Sequence, residues 1–464
     1  MKLEKVFSIH DFRLKFGEGS SPNAYDLVRY GPLSKRPLYG LSNIGVDMYR
    51  GILVLCRNEK KNLAEMLVKD FKDGYSENRK IFPGLATVMR KKFEIDVAYF
   101  SEYDPNKIFD VFENSGSIRD TFPVVMLPRC AKGDYGSIYY RTKAVFLKHE
   151  VPSQIVTEEL FQSRDRYRWS LLSIAVQIYA KMGGVPYGLD RSVVSPRSLQ
   201  PSDTLVAVMG LGISTHPQRR KRGVGFITVY DDQGVWNFMD FEILSIDKKE
   251  EMSNDIARLL ERNIEAIVRY GSKKNNVIVI HYSGKEVGSR EEESINNAMQ
   301  TLSLVGKNVF VHVLKIRDSD IVVGLKDSPH RTREGVVTWY PPIGATFKLK
   351  SGVYLMTSAG YFMRGDNKVG SNIHMGLPTA MIISRHREIE INPLDSLNDI
   401  DLLSTVFGLM RLNYVDVSHP VSRDPITVRY SRAIAWIVLR LADIIGSDLK
   451  LQKLSRLQNT MWFL

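Results

Sequence analysis

Apolar runs of strand length, alternating with helical patterns, most strongly constrain the fold of this chain. Residues 51–56 and 122–127 are almost wholly apolar, which is typical of strands buried on both faces of a parallel sheet. Residues 62–71 and about 105–114 carry apolar side chains at helical spacing. Strands that alternate with helices are joined by crossover connections. The first part of the chain is therefore predicted to be an α/β domain with a parallel sheet, Rossmann-like in its order.

A different order of elements is predicted for the second half. Three consecutive strand candidates span residues 204–214, 224–230 and 235–244. An amphipathic helix at about 250–270 follows, and then a buried strand at 276–282. Three antiparallel strands, a helix and a parallel strand form the order of a ribonuclease-H-like fold. The predicted fold class is therefore α/β throughout, with two different sheets.

The same patterns predict the domain boundaries. Residues 1–44 contain two short strand patterns and then glycine- and proline-rich sequence, which predicts a hairpin that packs on a later domain. A polar, proline-bearing stretch at 190–203 reads as a linker. The predicted division is therefore an N-terminal hairpin at 1–44, one domain at 45–190 and a second domain at 191–464.

Charge and cysteine content narrow the function classes. The formal net charge is +12 and the pI about 9.4, which favours nucleic acid over a membrane surface as partner, although a basic protein without a polyanionic partner fits equally well. Cys56 and Cys130 have no metal-ligand spacing, so reduced thiols in a cytoplasmic protein are expected. The first residues lack the apolar core of a signal peptide, and no apolar run is long enough to span a bilayer, so no direct membrane insertion is expected.

One short stretch, residues 136–143, points to anion binding. It follows the strand at 122–127 after a polar connection that contains glycine. A helix that follows a strand and such a loop directs backbone N–H groups at an anion. If Ser137 caps this helix, Tyr139 and Lys143 lie one turn apart on one face. A phosphate site is one interpretation, and an ordinary solvated helix face is the other.

Several motifs together resemble the short prokaryotic Argonautes. They are Tyr139-Tyr-Arg-Thr-Lys143, Pro152-Ser-Gln154, Ala180-Lys-Met-Gly-Gly-Val-Pro186, Ser283-Gly-Lys285 and the final Trp462-Phe-Leu464. The resemblance covers nearly the whole chain. It implies a Rossmann-like MID domain and a ribonuclease-H-like PIWI domain, without the N and PAZ domains of longer Argonautes.

The resemblance also implies a binding site for the 5′ end of a guide strand. Tyr139 would stack on the first base, Lys143 and Lys181 would neutralise its 5′-phosphate, and Gln154 would hydrogen-bond to the phosphate. The resemblance also implies a divalent cation, Mg²⁺ or Mn²⁺. It would bridge the 5′-phosphate, the third phosphate of the guide and a C-terminal carboxylate, which here belongs to Leu464, and Gln154 would contact it. A lysine that stabilises a helix C-terminus is the alternative for Lys181, and a docked hydrophobic tail is the alternative for the last three residues.

The residues at the family's catalytic positions predict that this chain is not an enzyme. Two-metal cleavage requires clustered carboxylates. Gly212 stands at the first of these positions, Ser283 at the third, and residues 430–432 near the fourth contain no carboxylate or histidine. Glu286 and Glu291–Glu293 could substitute, but they fit the acidic first turn of a helix better.

Two basic clusters are candidates for contacts with guide and target backbones, since phosphate contacts give sequence-independent affinity. Their residues are Arg219, Arg220, Lys221, Arg222, Arg423, Arg429 and Arg432. A solvated hairpin tip explains the first cluster almost equally well, and pairing with acidic residues is an alternative for the second.

The resemblance therefore predicts a guide-directed binding protein of prokaryotic immunity, active in antiviral or antiplasmid defence. It implies an RNA guide, a single-stranded DNA target and a partner protein with an APAZ region. That partner would carry or recruit an effector, namely an NADase, a nuclease or a membrane protein. Two other hypotheses remain open at this point: an active guide-directed endonuclease, and a nucleic-acid-binding protein that uses no guide.

Overall fold

The structure is a computed structural model. It describes residues 3–7, 11–16, 19–20, 45–75, 77, 81–115, 118–130, 137–194, 199–215, 222–245, 248–271, 273–283, 293, 308–324, 330–331, 337–338, 341–364, 367–371, 379–386, 397–415, 421–445, 457 and 460–464. The chain divides into two compact units. The large-sheet unit comprises Met1–Arg13, Leu189–Asn413 and Val421–Trp436, and the small-sheet unit comprises Leu14–Gly188, Tyr414–Pro420 and Ile437–Leu464.

The helices of the described residues are numbered in chain order. The α-helices are α1 Lys61–Asp73, α2 Leu85–Met89, α3 Pro105–Ser115, α4 Ile138–Lys148, α5 Arg164–Lys181, α6 Lys249–Gly271, α7 Asp399–Met410 and α8 Ile426–Ile445. Short 3-10 helices span Val46–Met48, Asn58–Lys60, Glu158–Gln162 and Pro201–Asp203.

The strands are numbered in the same way. They are β1 Leu3–Val6, β2 Leu14–Phe16, β3 Gly19–Ser20, β4 Gly51–Arg57, β5 Glu94–Phe100, β6 Thr121–Leu127, β7 Gln154–Thr157, β8 Gly188–Leu189, β9 Thr204–Thr215, β10 Arg222–Asp231, β11 Trp236–Ser245, β12 Asn275–Tyr282, β13 Asn308–Ser319, β14 His330–Arg331, β15 Val337–Thr338, β16 Ala345–Lys350, β17 Val353–Thr357, β18 Tyr361–Arg364, β19 Asn367–Ser371 and β20 Ala380–Arg385.

The small-sheet unit is built on a parallel sheet of order β5-β4-β6-β7. Leu55 and Val125 in its central strands are fully buried, because helices cover the sheet. On α1, Ala64, Leu67 and Phe71 are buried at helical spacing and form the apolar face predicted from the sequence. The predicted parallel α/β arrangement is confirmed.

The large-sheet unit contains a sheet of order β1-β16-β17-β20-β13-β12-β9-β10-β11. Strands β9, β10 and β11 are antiparallel neighbours, and β12 runs parallel to both β9 and β13. Helix α6 packs its apolar face on this sheet, where Leu259, Leu260 and Ile264 join one core with Ile278 and Ile280. The predicted order of three antiparallel strands, a helix and a parallel strand is confirmed.

Among the described residues, β1 and β2 do not pair with each other, and β1 instead joins the sheet of the later unit, on which the N-terminal segment was expected to pack. Strand β1 pairs with β16 of the large-sheet unit, while β2 pairs with β3. Phe7 and Phe12 are buried, and Phe7 stacks on Phe407 with ring centroids 5.1 Å apart. The alternation of apolar residues fits a strand in either pairing, and only contacts remote in sequence select the partner.

The compact units also differ from the predicted domains. The main division falls between Gly188 and Leu189, close to the predicted linker, but residues 14–44 group with the small-sheet unit. Residues 414–420 and 437–464 do so as well, although the sequence division placed them in the second domain. A local sequence pattern does not predict which hydrophobic core a terminal segment packs against.

Cys56 is buried and Cys130 half-buried, and both are free thiols. Burial raises the pKa of the Cys56 thiol to about 12. Within the described part of the chain, no helix is long and apolar enough to cross a membrane.

Candidate functional site

Helix α4 carries the first two predicted site residues in the small-sheet unit. Ser137 precedes the helix in an extended conformation, and its buried Oγ has no hydrogen-bond partner among the described residues. Lys143 is only 4% exposed, and its Nζ lies 5.3 Å from the centroid of the Tyr139 ring. One turn of helix separates the two residues, so both project from the same face, as the spacing predicted.

Strand β7 and the end of α5 bring two further predicted residues together. Gln154 begins β7, and Lys181 is the last residue of α5. Lys181 is fully buried, and its Nζ donates hydrogen bonds to Gln154 Oε1 at 2.8 Å and to the Ser153 carbonyl oxygen at 3.1 Å. Lys181 is thus held inside the protein at the end of α5, where stabilisation of the helix C-terminus remains the alternative role for it.

The electrostatics of Lys181 follow from this position. Burial, with a further contribution from the Lys143 ammonium, holds the pKa of Lys181 well below its usual value. The oxygens of Gln154 and Ser153 that accept these hydrogen bonds are neutral, so neither compensates a positive charge on Lys181. Among the described residues, neither Lys143 nor Lys181 pairs with a side-chain carboxylate. The described part of the chain thus holds two buried lysine side chains close together, with no side-chain carboxylate beside either.

The last residues of the chain reach the same place. The Lys143 Nζ lies 3.4 Å from the Leu464 main-chain oxygen. Trp462 and Phe463 are each 4% exposed, and the Met461 N–H donates to the Ala180 carbonyl oxygen at 3.3 Å. The tail is therefore docked by its apolar side chains, and this docking places Leu464 beside Lys143.

Gln177 is a site residue that the sequence reasoning missed. It lies one helical turn before Lys181 on α5, and its Oε1 accepts a hydrogen bond from Gln154 Nε2 at 3.3 Å. Its own Nε2 donates to the Val415 carbonyl oxygen at 2.9 Å. The four-residue spacing between Gln177 and Lys181 was the available signal, since it places both on one helix face.

The chemistry of this donor set fits an anion. Lys143 and Lys181 lie close enough for their charges to interact, and the amide oxygens of Gln154 and Gln177 already accept hydrogen bonds from Lys181 and Gln154. The Ser137 hydroxyl at the start of α4 is buried without a partner among the described residues. A divalent cation would fit only together with an anion that supplies oxygen ligands, because ammonium groups repel it. In the described part of the chain, no group of three or more His, Cys, Asp or Glu residues could hold a metal ion.

The two basic clusters lie in the large-sheet unit or outside the described residues. Arg219, Arg220 and Lys221 lie outside them, and Arg222 begins β10. In the second cluster, Arg429 donates to Asn413 and Ser422, both at 3.0 Å. These hydrogen bonds fix its guanidinium against its own unit.

Arg423 and Arg432 share one acidic partner, Asp318. The nitrogen–oxygen distances are 3.8 Å for Arg423 and 3.5 Å for Arg432. Arg432 also lies 4.0 Å from Asp424 and 3.4 Å from the Ser283 carbonyl oxygen. Burial and the nearby Asp318 raise the pKa of Asp424, against the opposing effect of the arginines. Arg423 and Arg432 therefore pair with acidic residues, which was the alternative interpretation of this cluster.

Gly212 lies where β9 and α8 approach each other within the large-sheet unit. A Cβ on Gly212 would lie 2.8 Å from the Ser431 carbonyl carbon and 2.9 Å from its Oγ. Ser283 follows β12, and its N–H donates to the Leu211 carbonyl oxygen at 3.3 Å. The two positions are therefore close in the fold, as the sequence patterns implied. Glu286, Glu291 and Glu292 lie outside the described residues.

Comparisons with known proteins bear on the family and the fold of the chain. Residues 123–320 match the Piwi domain family. A Piwi protein of Archaeoglobus fulgidus is 21% identical over 339 residues, which cover 70% of this chain and 72% of that protein.

Solved structures of similar fold include Drosophila Piwi, with a TM-score of 0.64 and 14% identity over the whole chain. Clostridium butyricum Argonaute bound to a guide DNA and a 19-mer target DNA gives a TM-score of 0.65 at 14% identity over 99% of the chain. Aquifex aeolicus Argonaute gives 0.60 at 16% identity over 99%. The chain spans 55–57% of the length of these three proteins.

Residues 123–320 are therefore similar to the Piwi domain family, the chain is similar to a Piwi protein over 70% of its length, and its fold is that of the Argonautes. The resemblance drawn from the sequence motifs is confirmed at this level. The ribonuclease-H-like fold of the large-sheet unit is confirmed with it, since its strand order and the Argonaute neighbours agree.

Proposed function

We propose that the small-sheet unit is a MID domain that binds the 5′-phosphate and first base of a guide strand. The observation that carries the proposal is the pair of buried lysines, Lys143 and Lys181, without a compensating side-chain carboxylate. Burial of uncompensated ammonium groups is costly, and a terminal phosphate with nearly two negative charges would stabilise both. The hydroxyl of Ser137, the residue before α4, makes no capping hydrogen bond and is buried without a partner among the described residues, so it adds a donor at a helix N-terminus.

In this proposal, each residue has a defined task. Tyr139 stacks on the first base, Lys143 and Lys181 hold the phosphate, and Gln154 and Gln177 orient it through their linked amides. A terminal carboxylate on Leu464 would join the site through a divalent cation, Mg²⁺ or Mn²⁺. The cation would supply positive charge between carboxylate and phosphate, which would otherwise repel each other.

The chain would then capture complementary nucleic acid without cutting it. The sequence has glycine and serine at positions 212 and 283, and Arg432 places a guanidinium next to Ser283. We infer an RNA guide, a single-stranded DNA target and a cytoplasmic role in prokaryotic defence. Signalling would proceed through an APAZ-containing partner that carries an NADase, nuclease or membrane effector. These assignments rest on the resemblance to short Argonautes.

The test compares binding of one strand with a 5′-phosphate and with a 5′-hydroxyl. The wild type should prefer the phosphate. Lys143→Ala and Lys181→Ala should each reduce that preference by about 10-fold to 100-fold, the loss expected for a charged hydrogen bond. Lys148→Ala, at the end of the same helix α4, is the matched control and should keep the preference. Equal binding of both strands by the wild type would overturn the proposal.

A further inference from the structure

Charged side chains from two parts of the large-sheet unit meet around one exposed carboxylate, that of Asp318. Asp318 lies next to the last residue of β13, and Asp424 lies just before α8. Arg423, Arg429 and Arg432 come from the start of α8 and the residues before it. Asp318 and the three arginines all act on the pKa of Asp424, so these groups lie within interaction range. The guanidinium groups outnumber the carboxylates, which leaves positive charge in excess.

Arg423 and Arg432 are held only loosely in this cluster. The nitrogen–oxygen distance from Arg423 to Asp318 is 3.8 Å, and Arg432 lies 3.5 Å from Asp318 and 4.0 Å from Asp424. A well-formed hydrogen bond between a guanidinium and a carboxylate measures about 2.7–2.9 Å. Arg429, in contrast, donates to two uncharged side chains at 3.0 Å. Arg423 and Arg432 are therefore the members of the cluster whose donors can take a better ligand.

Arg262, in the same unit, shows what a tightly held arginine looks like. Its guanidinium pairs with both Asp240 and Glu242 and donates to the Phe241 carbonyl oxygen at 2.8 Å. Its side chain is 32% exposed, which is close to the 34% of Arg432. Exposure therefore does not account for the loose pairing of Arg432, which is a property of the cluster itself.

The contacts with Asp318 are also weak in energy. The side chains of Arg423 and Asp318 are 52% and 53% exposed. Ion pairs at such positions contribute little to stability, because water screens both charges and the side chains lose freedom when they pair. An incoming anion can therefore displace the Asp318 carboxylate at a small cost.

A phosphodiester is the anion that this arrangement fits best. Its non-bridging oxygens match the planar fork of a guanidinium, and such pairs are short and frequently bidentate. The net charge of +12 favours a polyanion with many regularly spaced charges over an isolated carboxylate. The backbone of a nucleic-acid strand has both properties.

We propose that Arg423 and Arg432 bind a phosphodiester of a nucleic-acid backbone, and that Asp318 is an internal anion which the strand displaces. The choice of nucleic acid rests on the proposed function, but this site lies in the large-sheet unit and uses neither Lys143 nor Lys181. The consequence is a built-in competition. A strand reaches these arginines only by displacing Asp318, which lowers the affinity of the protein for nucleic acid.

The experiment removes the competing anion. Asp318→Asn keeps the shape of the side chain and abolishes its charge. One DNA strand with a 5′-hydroxyl should bind this variant about 2-fold to 5-fold more tightly than the wild type, the change expected when an exposed ion pair no longer competes. Glu265→Gln is the matched control. It releases Arg269 from a similar exposed pair on α6 and should leave the affinity nearly unchanged.

The two arginines must carry the gain. Arg423→Gln and Arg432→Gln should each weaken binding by about 10-fold. Each should also lower the slope of log affinity against log salt by about 0.7, the value for one phosphate contact with a single strand. In the protein with both arginine substitutions, Asp318→Asn should no longer raise the affinity.

The proposal is overturned if Asp318→Asn binds the strand no more tightly than Glu265→Gln does, or if the gain persists without the arginines. Denaturant unfolding checks that each variant is folded. Because Asp318 is exposed, Asp318→Asn alone decides the matter if an arginine variant does not fold. Tighter binding of polyglutamate, without tighter binding of the DNA strand, would assign the site to an acidic protein segment and would also overturn the proposal.

The ratio of 5′-phosphate to 5′-hydroxyl binding separates this site from the proposed function. Asp318→Asn should leave the ratio unchanged, because Lys143 and Lys181 set it. A wild type without phosphate preference removes the proposed function, while a gain in Asp318→Asn that depends on the arginines still supports this site. A retained phosphate preference without that gain removes only this site.

Discussion

At the scale of single residues, Lys181 is the most informative side chain. It is fully buried at the end of α5, and its Nζ meets only neutral oxygens. Burial and the Lys143 ammonium favour loss of its proton. A bound phosphate would favour the charged form instead. Phosphate binding is therefore expected to be coupled to proton uptake at this residue.

The coupling has a definite sign. The 5′-phosphate is fully ionised above about pH 7. In that range the affinity of the protein for a 5′-phosphorylated strand should fall as the pH rises, because Lys181 must gain a proton when the strand binds. The expected slope is up to about tenfold per pH unit. In Lys181→Arg the guanidinium keeps its charge throughout, so the slope should disappear. Binding measured from pH 7 to 9.5, relative to a 5′-hydroxyl strand, tests this, and identical slopes for both proteins would contradict it.

The same lowered pKa affects the strand-free protein. The unfolded chain holds the Lys181 proton up to about pH 10.4, whereas the folded protein releases it at lower pH. Between these two pKa values the unfolded state binds more protons, so this group makes the unfolding free energy rise with pH. The buried lysine thus destabilises the fold most at low pH, which is consistent with a residue kept for binding.

At the scale of elements, the contact of β9 with α8 decides what can occupy position 212. The hypothetical Cβ of Gly212 would lie 2.8 Å from the backbone of Ser431, and that of Gly210 would clash with the Thr427 carbonyl oxygen. Side-chain atoms could move aside, but helix backbone cannot do so cheaply. Glycine at these two positions therefore permits the close approach of helix and strand.

Gly212→Asp is accordingly expected to destabilise the protein without creating a nuclease. The added side chain overpacks the contact and buries a carboxylate, which should cost about 2 kcal/mol or more. Denaturant unfolding measures the loss of stability, and a cleavage assay with Mg²⁺ or Mn²⁺ measures activity. Ser283→Asp, at a half-buried position beside Arg432, is the control and should be tolerated. A Gly212→Asp protein as stable as the wild type would show that the contact can relax.

At the scale of the whole molecule, the two units provide different chemistry. The small-sheet unit holds the two buried lysines and the cavity between β7 and α5. The large-sheet unit holds the Arg423–Asp318–Arg432 cluster. The net charge of +12 adds a general attraction for nucleic acid. A protein organised in this way should gain affinity for a second strand only after a first strand is bound.

If the guide must bind before the target, loading of the guide should control target binding by the intact protein. Loading with a 5′-phosphorylated guide should increase the affinity for a complementary strand by at least tenfold over a non-complementary one, because base pairing then supplies the specificity. The target should remain intact in Mg²⁺ or Mn²⁺. Electrophoresis of both strands, with and without chelator, checks this. Cleavage that a chelator abolishes would instead support an active guide-directed endonuclease, and equal affinity without guide would support a binding protein that uses none.

Much of the fold could be predicted because local patterns report it directly. The apolar strands around Leu55 and Val125 and the amphipathic faces of α1 and α6 follow from periodicity alone. Tyr139 and Lys143 were linked by their spacing on one helix. The pairing of β1 with β16 was not accessible in this way, because the partner strands lie more than 300 residues apart and any alternating strand could compete.

The sequence by itself therefore determined the α/β class, the succession of strands and helices along the chain that begins each sheet, and the helix face that carries Tyr139 and Lys143. Only the tertiary structure decided that Lys181 is fully buried, that Gln177 links to Gln154, and that the tail ends beside Lys143. The physical reason is the distance along the sequence over which each property is set. Periodicity is a property of neighbouring residues, whereas burial and charge compensation depend on segments that meet only when the chain has folded.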